Sequence, residues 1–318
     1  MPVYNSIISD ADIAALNTPE TSSIFLQDIV GVQGSAALSM FQRIPMGGST
    51  TSLPVLSALP TAYWVNGPTG LKQTTEAAWA GRTIAVQELA ALVPVPDSTL
   101  EDADFDVLAA ARPLVAQAIG GKFDGAVFFG LDLPTGWTGP VGGLAGAAPA
   151  SNKVPIGTTA ANGGISEDIN KVFNAVENDG FDVNAILAKR TLRGLLRSAR
   201  DTTGQKLLDV TTNSIEGITV NYGLRGIWPG GALAPQMIAG DAAQAAVAVR
   251  RDITFEVDSR AVINDAAGAI IYNAFQQDLT ILRCTFRGGF VVANTMTPES
   301  ASDVDATRWP FAVLHNAT

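Results

Sequence analysis

Few side chains here are of the types that do bond chemistry, and their spacing limits what they could do. Glu101, Asp102, Asp104 and Asp106 cluster over a short stretch. Paired carboxylates can serve as the acid and base of a glycosidase, and a group of them can hold a hard cation such as calcium. The same spacing suits a helix N-terminus, where negative charge meets the positive end of the helix dipole. That simpler reading explains the cluster without catalysis. The single histidine, His315, lies near the end of the chain. A Ser-His-Asp or Cys-His mechanism would have to use it, in a region where chains are commonly mobile. The one cysteine, Cys284, sits among apolar residues over 279–286 and reads as a buried structural thiol. It permits no internal disulfide, which fits folding in a reducing compartment. No His-Glu-x-x-His, Cys-x-x-Cys or multi-histidine set exists, so no metal or cofactor is expected. Gly142-Gly143-Leu144-Ala145-Gly146 lacks the Gly-Lys-Ser/Thr ending of a P-loop and the strand-to-helix setting of a dinucleotide fingerprint. The enzymatic reading that survives is a carboxylate-based hydrolase at Glu101 and Asp102, and it is a remote one.

The remaining features point to association. The chain has 318 residues and 33.0 kDa, with 47% hydrophobic but only 16% charged residues. Charge that sparse is expected where much of the surface faces other subunits, although abundant Ala and Gly inflate the apolar count. With 20 Lys and Arg against 30 Asp and Glu, the net charge is −10. Strong nucleic-acid binding needs clustered cations to neutralise phosphates, so this chain would enclose nucleic acid rather than grip it. The N-terminus lacks a secretory pattern, and no window is apolar for the about 18 residues a membrane span requires. Neither secretion nor a membrane is expected.

The elements that must position these residues follow from pattern. Residues 1–45 read as an arm, with a short apolar helical stripe at Phe25, Leu26, Ile29 and Val30. Stretches 49–58 and 83–95 are strand-like and bracket a turn-rich loop over 60–82. That loop carries Tyr63, Trp64, Leu71, Lys72 and Trp79, candidate contacts to a neighbouring subunit, of which Trp64, Leu71 and Trp79 are apolar side chains that a monomer would leave wet. Residues 97–102 supply capping and N-terminal negative charge for a long helix, which Pro113 and Gly120-Gly121 should bend into two or three pieces. Residues 133–166 form a long irregular segment in which Trp137, Val141 and Leu144 call for burial. An amphipathic helix opens near Ile165 and runs through Ile169, Val172, Phe173 and Val176. Lys189, Arg190, Arg193, Arg197 and Arg200 fall partly on one helical face, suited to pairing with acidic groups of a neighbouring subunit, to contacting phosphate, or to solvation; Glu101, Asp102, Arg190, Arg193 and Arg197 are the candidate inter-subunit charge contacts. Strands are expected at 237–241, 247–257 and 278–286, with a short one near 288–292. The aromatic pair after Arg308 should dock on the body or on a neighbour. The class is mixed α+β.

Taken in order, these elements resemble the major capsid proteins of tailed phages, of the Hong Kong 97 type. The resemblance is carried by Tyr63-Trp64-Val65 at the loop entry, by Lys72 and Thr75 along it, and by residues 89–97 with Leu100-Glu101-Asp102. It continues through Phe123-Asp124-Gly125-Ala126 to Gly130, residues 237–241 and 249–254, and Asp278-Leu279-Thr280 leading to Arg283 and Phe286. Roughly residues 45–295 are covered. The family's fold implies an N-terminal arm (1–45), an extended-loop hairpin (46–95, loop about 60–82), a peripheral domain with a long bent helix (96–135 and 253–287) and an axial domain (136–252 and 288–318).

The resemblance implies a structural protein, not an enzyme. Hexamers and pentamers of it would form an icosahedral head enclosing double-stranded DNA without specific binding, in a virion assembled in the host cytoplasm. An encapsulin-like bacterial compartment shell with the same fold is the alternative, separable by its contents. Some relatives join a loop lysine to a neighbour's asparagine, with a glutamate as base. Lys72 matches the lysine, but the glutamate position falls at Phe275-Gln276-Gln277 and the asparagine near Ala269, so no covalent crosslink is expected. A separate scaffolding protein, a portal and a decoration protein are the further partners implied; an arm of about 45 residues leaves no room for a built-in scaffold.

Overall fold

A computed structural model describes residues 34–65, 71–103, 105–198, 213–223, 226–231, 233–297 and 308–317. The helical stripe expected at Phe25 to Val30 lies outside them. The described chain opens with helix α1 (Ala36–Met40) and strand β1 (Gln42–Pro45). Strands β2 (Thr50–Ala58) and β3 (Ala78–Ala85) pair antiparallel, from Thr50 opposite Ala85 to Ala58 opposite Ala78. Then follow β4 (Gln87–Pro96) and the helices α2 (Asp97–Asp102) and α3 (Val107–Phe129). After α4 (Gly143–Ala147) and β5 (Lys153–Pro155) come α5 (Gly164–Asn178), β6 (Ala185–Ala188) and α6 (Leu192–Ser198). The rest is β7 (Ser214–Ile215), β8 (Ile218–Tyr222), β9 (Pro235–Gly240), β10 (Ala245–Asp258), β11 (Val262–Asn264), β12 (Ile270–Asn273), β13 (Leu279–Val292) and β14 (Phe311–His315).

The chain divides into two compact units, one built on residues 88–121 and 251–288 and the other on 35–87, 122–250 and 289–318. In the first, β13 lies between β10 and β4. The Thr254 and Thr285 hydroxyls meet across β10 and β13 at 2.9 Å. A small core of Ala274, Leu279 and Ile281, joined by Ile263 and Tyr272, seats the antiparallel β11–β12 hairpin. Here α2 departs from expectation. It begins after Pro96, whose ring offers no side-chain cap, and the Asp97 carboxylate in its first turn accepts the Thr280 hydroxyl at 2.6 Å. Glu101 and Asp102 consequently occupy its last turn, where the dipole disfavours them. The capping carboxylate is Asp106, which accepts the Ala109 N–H at 2.9 Å as α3 starts. Helix α3 is one uninterrupted helix with Pro113 inside it, not two or three pieces. An interior proline costs about 3 kcal/mol, but Val107, Ala111, Val115 and Ile119 bury one face along this stretch and offset it.

The second unit is organised by a six-stranded sheet in the order β5-β14-β9-β6-β8-β7. All six residues of β9 are buried, as expected of a strand paired on both edges. At its end Gly240 permits a close approach, since a Cβ there would stand 2.2 Å from the Pro310 carbonyl oxygen. Helix α5 lays Ile169, Val172, Phe173 and Val176 on this sheet, in a core with Ile186, Met237 and Leu314. Its buried Asp168 accepts the Gly157 and Thr158 N–H groups, tying down the preceding loop. The tail after Arg308 is a strand, β14, inserted between β5 and β9, so His315 lies in a sheet and not on a loose end.

Phe41 follows α1 and is buried among Phe128, Phe290 and Phe311, at ring separations of 5.8, 5.5 and 6.0 Å. The glycine pair at 142–143 has a structural purpose. A Cβ at Gly143 would come within 2.4 Å of the Gly130 nitrogen, so the end of α3 and the start of α4 cross backbone to backbone. Of the residues expected to be buried over 133–166, Leu144 is fully so, but Val141 is among the most exposed apolar side chains.

Candidate functional site

Among the described residues the β2–β3 hairpin forms its own two-stranded sheet with no third strand. What the sequence reads as one strand over 83–95 breaks at Val86, whose N–H bonds to the Ser49 carbonyl at 2.9 Å. β3 therefore stays with the hairpin while β4 enters a different sheet. Beyond the paired part, the two sides of the loop stay in touch. The Thr61 N–H donates to the Thr75 hydroxyl at 3.1 Å, and the Tyr63 hydroxyl donates to the Gln73 carbonyl at 2.6 Å. These bonds hold the described flanks of the loop in a defined form; residues 66–70 lie outside the described set.

On that frame the apolar side chains stand in water. Trp64 is 97% exposed, Leu71 90% and Trp79 67%, with Tyr63 and Val65 also exposed. Covering a large apolar side chain is worth about 1.5–3 kcal/mol, so three left bare over one hairpin are a costly surface unless something seats on them. Lys72 lies exposed among them. Tyr63, Trp64, Leu71, Lys72 and Trp79, the residues expected from sequence to contact a neighbouring subunit, are all exposed.

The charged candidates divide between the units. Glu101 and Asp102 are exposed in the first, at the end of α2; Arg190, Arg193 and Arg197 lie on and before α6 in the second. Arg193 places its guanidinium 5.8 Å from the Tyr222 ring centre, while its Nε is buried without a hydrogen-bond partner. Arg190 and Arg197 are exposed. Among the described residues no group of three or more His, Cys, Asp or Glu could hold a metal ion. Asp106 is engaged as a helix cap, and Asp104 lies outside the described residues. Burial pushes the Cys284 thiol above its ordinary pKa, keeping it protonated and a poor nucleophile. The His315 ring lies 2.7 Å from the Asn316 carbonyl through Nδ1. No described helix is long and apolar enough to cross a membrane.

One apolar surface escapes the sequence reading. On the β11–β12 hairpin, Val262 and Ile270 face outward, and the adjoining Phe275 is 80% exposed. The signal is the doublets Val262-Ile263 and Ile270-Ile271: a two-stranded hairpin has one covered face, so one member of each pair must point outward. Gln276 and Gln277 fold back on Asn273, with the Gln277 carbonyl oxygen accepting the Asn273 N–H at 2.9 Å.

Comparison with known proteins places this geometry. The model of the phage capsid family matches residues 32–296. A solved chain of Microbacterium phage Oxtober96 is 33% identical, with a TM-score of 0.78 over 97% of this chain and 99% of its own. One from Mycobacterium phage Bobi is 29% identical, with a TM-score of 0.80 over 98% of this chain and 100% of its own. The capsid of a native GTA particle shares the fold at 17% identity and a TM-score of 0.66, over 98% of this chain and 99% of its own. Comparison with curated proteins finds no match.

Proposed function

This chain belongs to the phage capsid family and is a major capsid subunit, and we infer that its copies assemble as hexamers and pentamers into an icosahedral head around double-stranded DNA. The observation that carries the inference is the β2–β3 hairpin, whose exposed Trp64, Leu71 and Trp79 have no cover within the described chain. Seated on a neighbouring copy, these side chains become interface anchors of the aromatic kind that dominates association energy. Repetition around a closed shell then multiplies a modest contact. The proposed peripheral domain (96–135 and 253–287) overlaps the first unit apart from residues 122–135, and the proposed axial domain (136–252 and 288–318) lies mostly in the second. Arg190, Arg193 and Arg197 on one copy are proposed to face acidic groups such as Glu101 and Asp102 on another. The net charge of −10 supports enclosure of DNA without adhesion to it.

The clasp is non-covalent in this reading. Lys72 is available on the loop, but Gln276 and Gln277 offer neutral amides where a catalytic base would stand. A separate scaffolding protein, a portal and a decoration protein are the proposed further partners, with assembly in the host cytoplasm. A free Cys284 supports folding in such a reducing setting. The compartment-shell reading has no observation in its favour, as the chains matched at 29–33% identity come from phages. Expressing the chain with its parent virus's assembly factors and imaging the product tests the inference. Closed DNA-permissive shells are expected; persistent monomers in every assembly condition, with the chain absent from virions, would sink it.

A further inference from the structure

The carboxylate of Asp124, in α3, is fully buried and holds residues 35–37 by three bonds. Its oxygens accept the Ser35 hydroxyl, the Ala36 N–H at 2.7 Å and the Ala37 N–H at 3.0 Å. Ser35 in turn accepts the Leu38 N–H at 3.2 Å, so α1 is organised around this one acid. The other end of the segment is pinned differently, by Phe41 packed among three phenylalanines. Residues 34–41 are the point at which residues 1–33 join the body. Their attachment therefore has one end that titrates and one that does not.

Among the described residues no cation is paired with Asp124. The charged groups on the adjoining elements are engaged elsewhere: Lys122 of α3 pairs with Asp132 of the following loop, and Arg43 of β1 donates to the Leu38 carbonyl at 2.8 Å. No charged side chain contributes to the shift in Asp124's affinity for its proton; burial and its three donors do.

We propose that Asp124 is a protonation-controlled latch on residues 34–41, closed most firmly when the acid carries its proton and loosened when it ionises. Burial raises its pKa from 3.8 to about 6, more than the bonds from Ser35, Ala37 and Ala36 lower it. The sign follows from linkage. The docked segment holds the proton more tightly than the solvated one, so acid favours docking, and the gain is lost as pH rises through about 6. Between pH 5 and pH 8 the opening equilibrium of this segment should rise about tenfold, the ratio set by those two pKa values. A carboxylate in water would titrate near 3.8 and give no change over that range. The latch belongs to the folded chain itself and holds whether or not copies assemble.

Hydrogen exchange of the full-length chain tests it, with rates corrected for the intrinsic pH dependence of exchange. Peptides covering 34–41 should lose protection about tenfold from pH 5 to pH 8, with a midpoint near 6, while peptides from 164–178 stay flat. Asp124→Asn should abolish the dependence. Ser35→Ala, which removes a donor that favours ionisation, should move the midpoint upward, and it decides the matter if Asp124→Asn fails to fold. A flat response of residues 34–41 in the natural chain overturns the proposal, as does the same rise in Asp124→Asn or an unmoved midpoint in Ser35→Ala.

Discussion

Replacing Trp64 by alanine separates what the hairpin does within one chain from what it does between chains. The side chain is 97% exposed, so its loss removes almost no buried area from the folded monomer. The midpoint of thermal unfolding of unassembled chain should therefore stay within about 1–2 °C, since exposed substitutions usually change stability by less than about 0.5 kcal/mol. Assembly should respond differently. If the indole is covered in the shell, burial is worth about 2–3 kcal/mol, in line with a large apolar side chain and an aromatic anchor. With one loop given and one received per subunit, the critical concentration for assembly should rise roughly 30- to 140-fold, at about 1.4 kcal/mol per factor of ten. Light scattering across a concentration series, beside calorimetry of the same preparations, measures both numbers. An unchanged critical concentration would remove the loop from the interface. A fall of several degrees in the unfolding midpoint would show that Trp64 packs within its own chain, and the reasoning would fail from the other side.

Gly240→Ala puts a Cβ 2.2 Å from the Pro310 carbonyl oxygen in a strand paired on both edges. A loss of about 3 kcal/mol, the upper end for overpacking, should appear as a lower denaturant midpoint with little change in slope; a neutral result would contradict the β9–β14 contact. Mature particles run on a denaturing gel should give a single band at the subunit mass, and Lys72→Ala should leave that pattern unchanged. A covalent ladder that Lys72→Ala abolishes would overturn the non-covalent clasp. Glu101→Gln should leave folding intact, because that carboxylate is exposed in the last turn of α2; loss of any measured turnover on this change would reopen the hydrolase reading.

Much of the fold was legible wherever burial acts through a simple period. Ile169, Val172, Phe173 and Val176 announce α5 by helical spacing, and the run at 237–241 announces a strand buried on both faces. The loop was legible too, because Trp64, Leu71 and Trp79 sit among turn residues with no periodic partner. Tertiary context decided the rest. Pro113 argues locally for a break in α3, yet packing on both sides of it keeps the helix whole. Val86 gives no local sign of a break, but β3 before it pairs with β2 and β4 after it with β13, which divides the apparent strand between two sheets. Phe311-Ala312-Val313-Leu314 is too short and too continuous in apolarity to distinguish a docked tail from a sheet strand, and pairing with β5 and β9 settles it as the latter. Asp124 was visible only as one acid within a helix; its significance comes from residues 35–37, 87 or more positions away in sequence.

The most direct test of the central claim is a density map of assembled particles at side-chain detail around the β2–β3 hairpin. Trp64, Leu71 and Trp79 should lie in van der Waals contact with a neighbouring copy and be largely removed from solvent. Finding the three side chains as exposed in the shell as in the single chain, with the hairpin touching only its own subunit, would contradict the account.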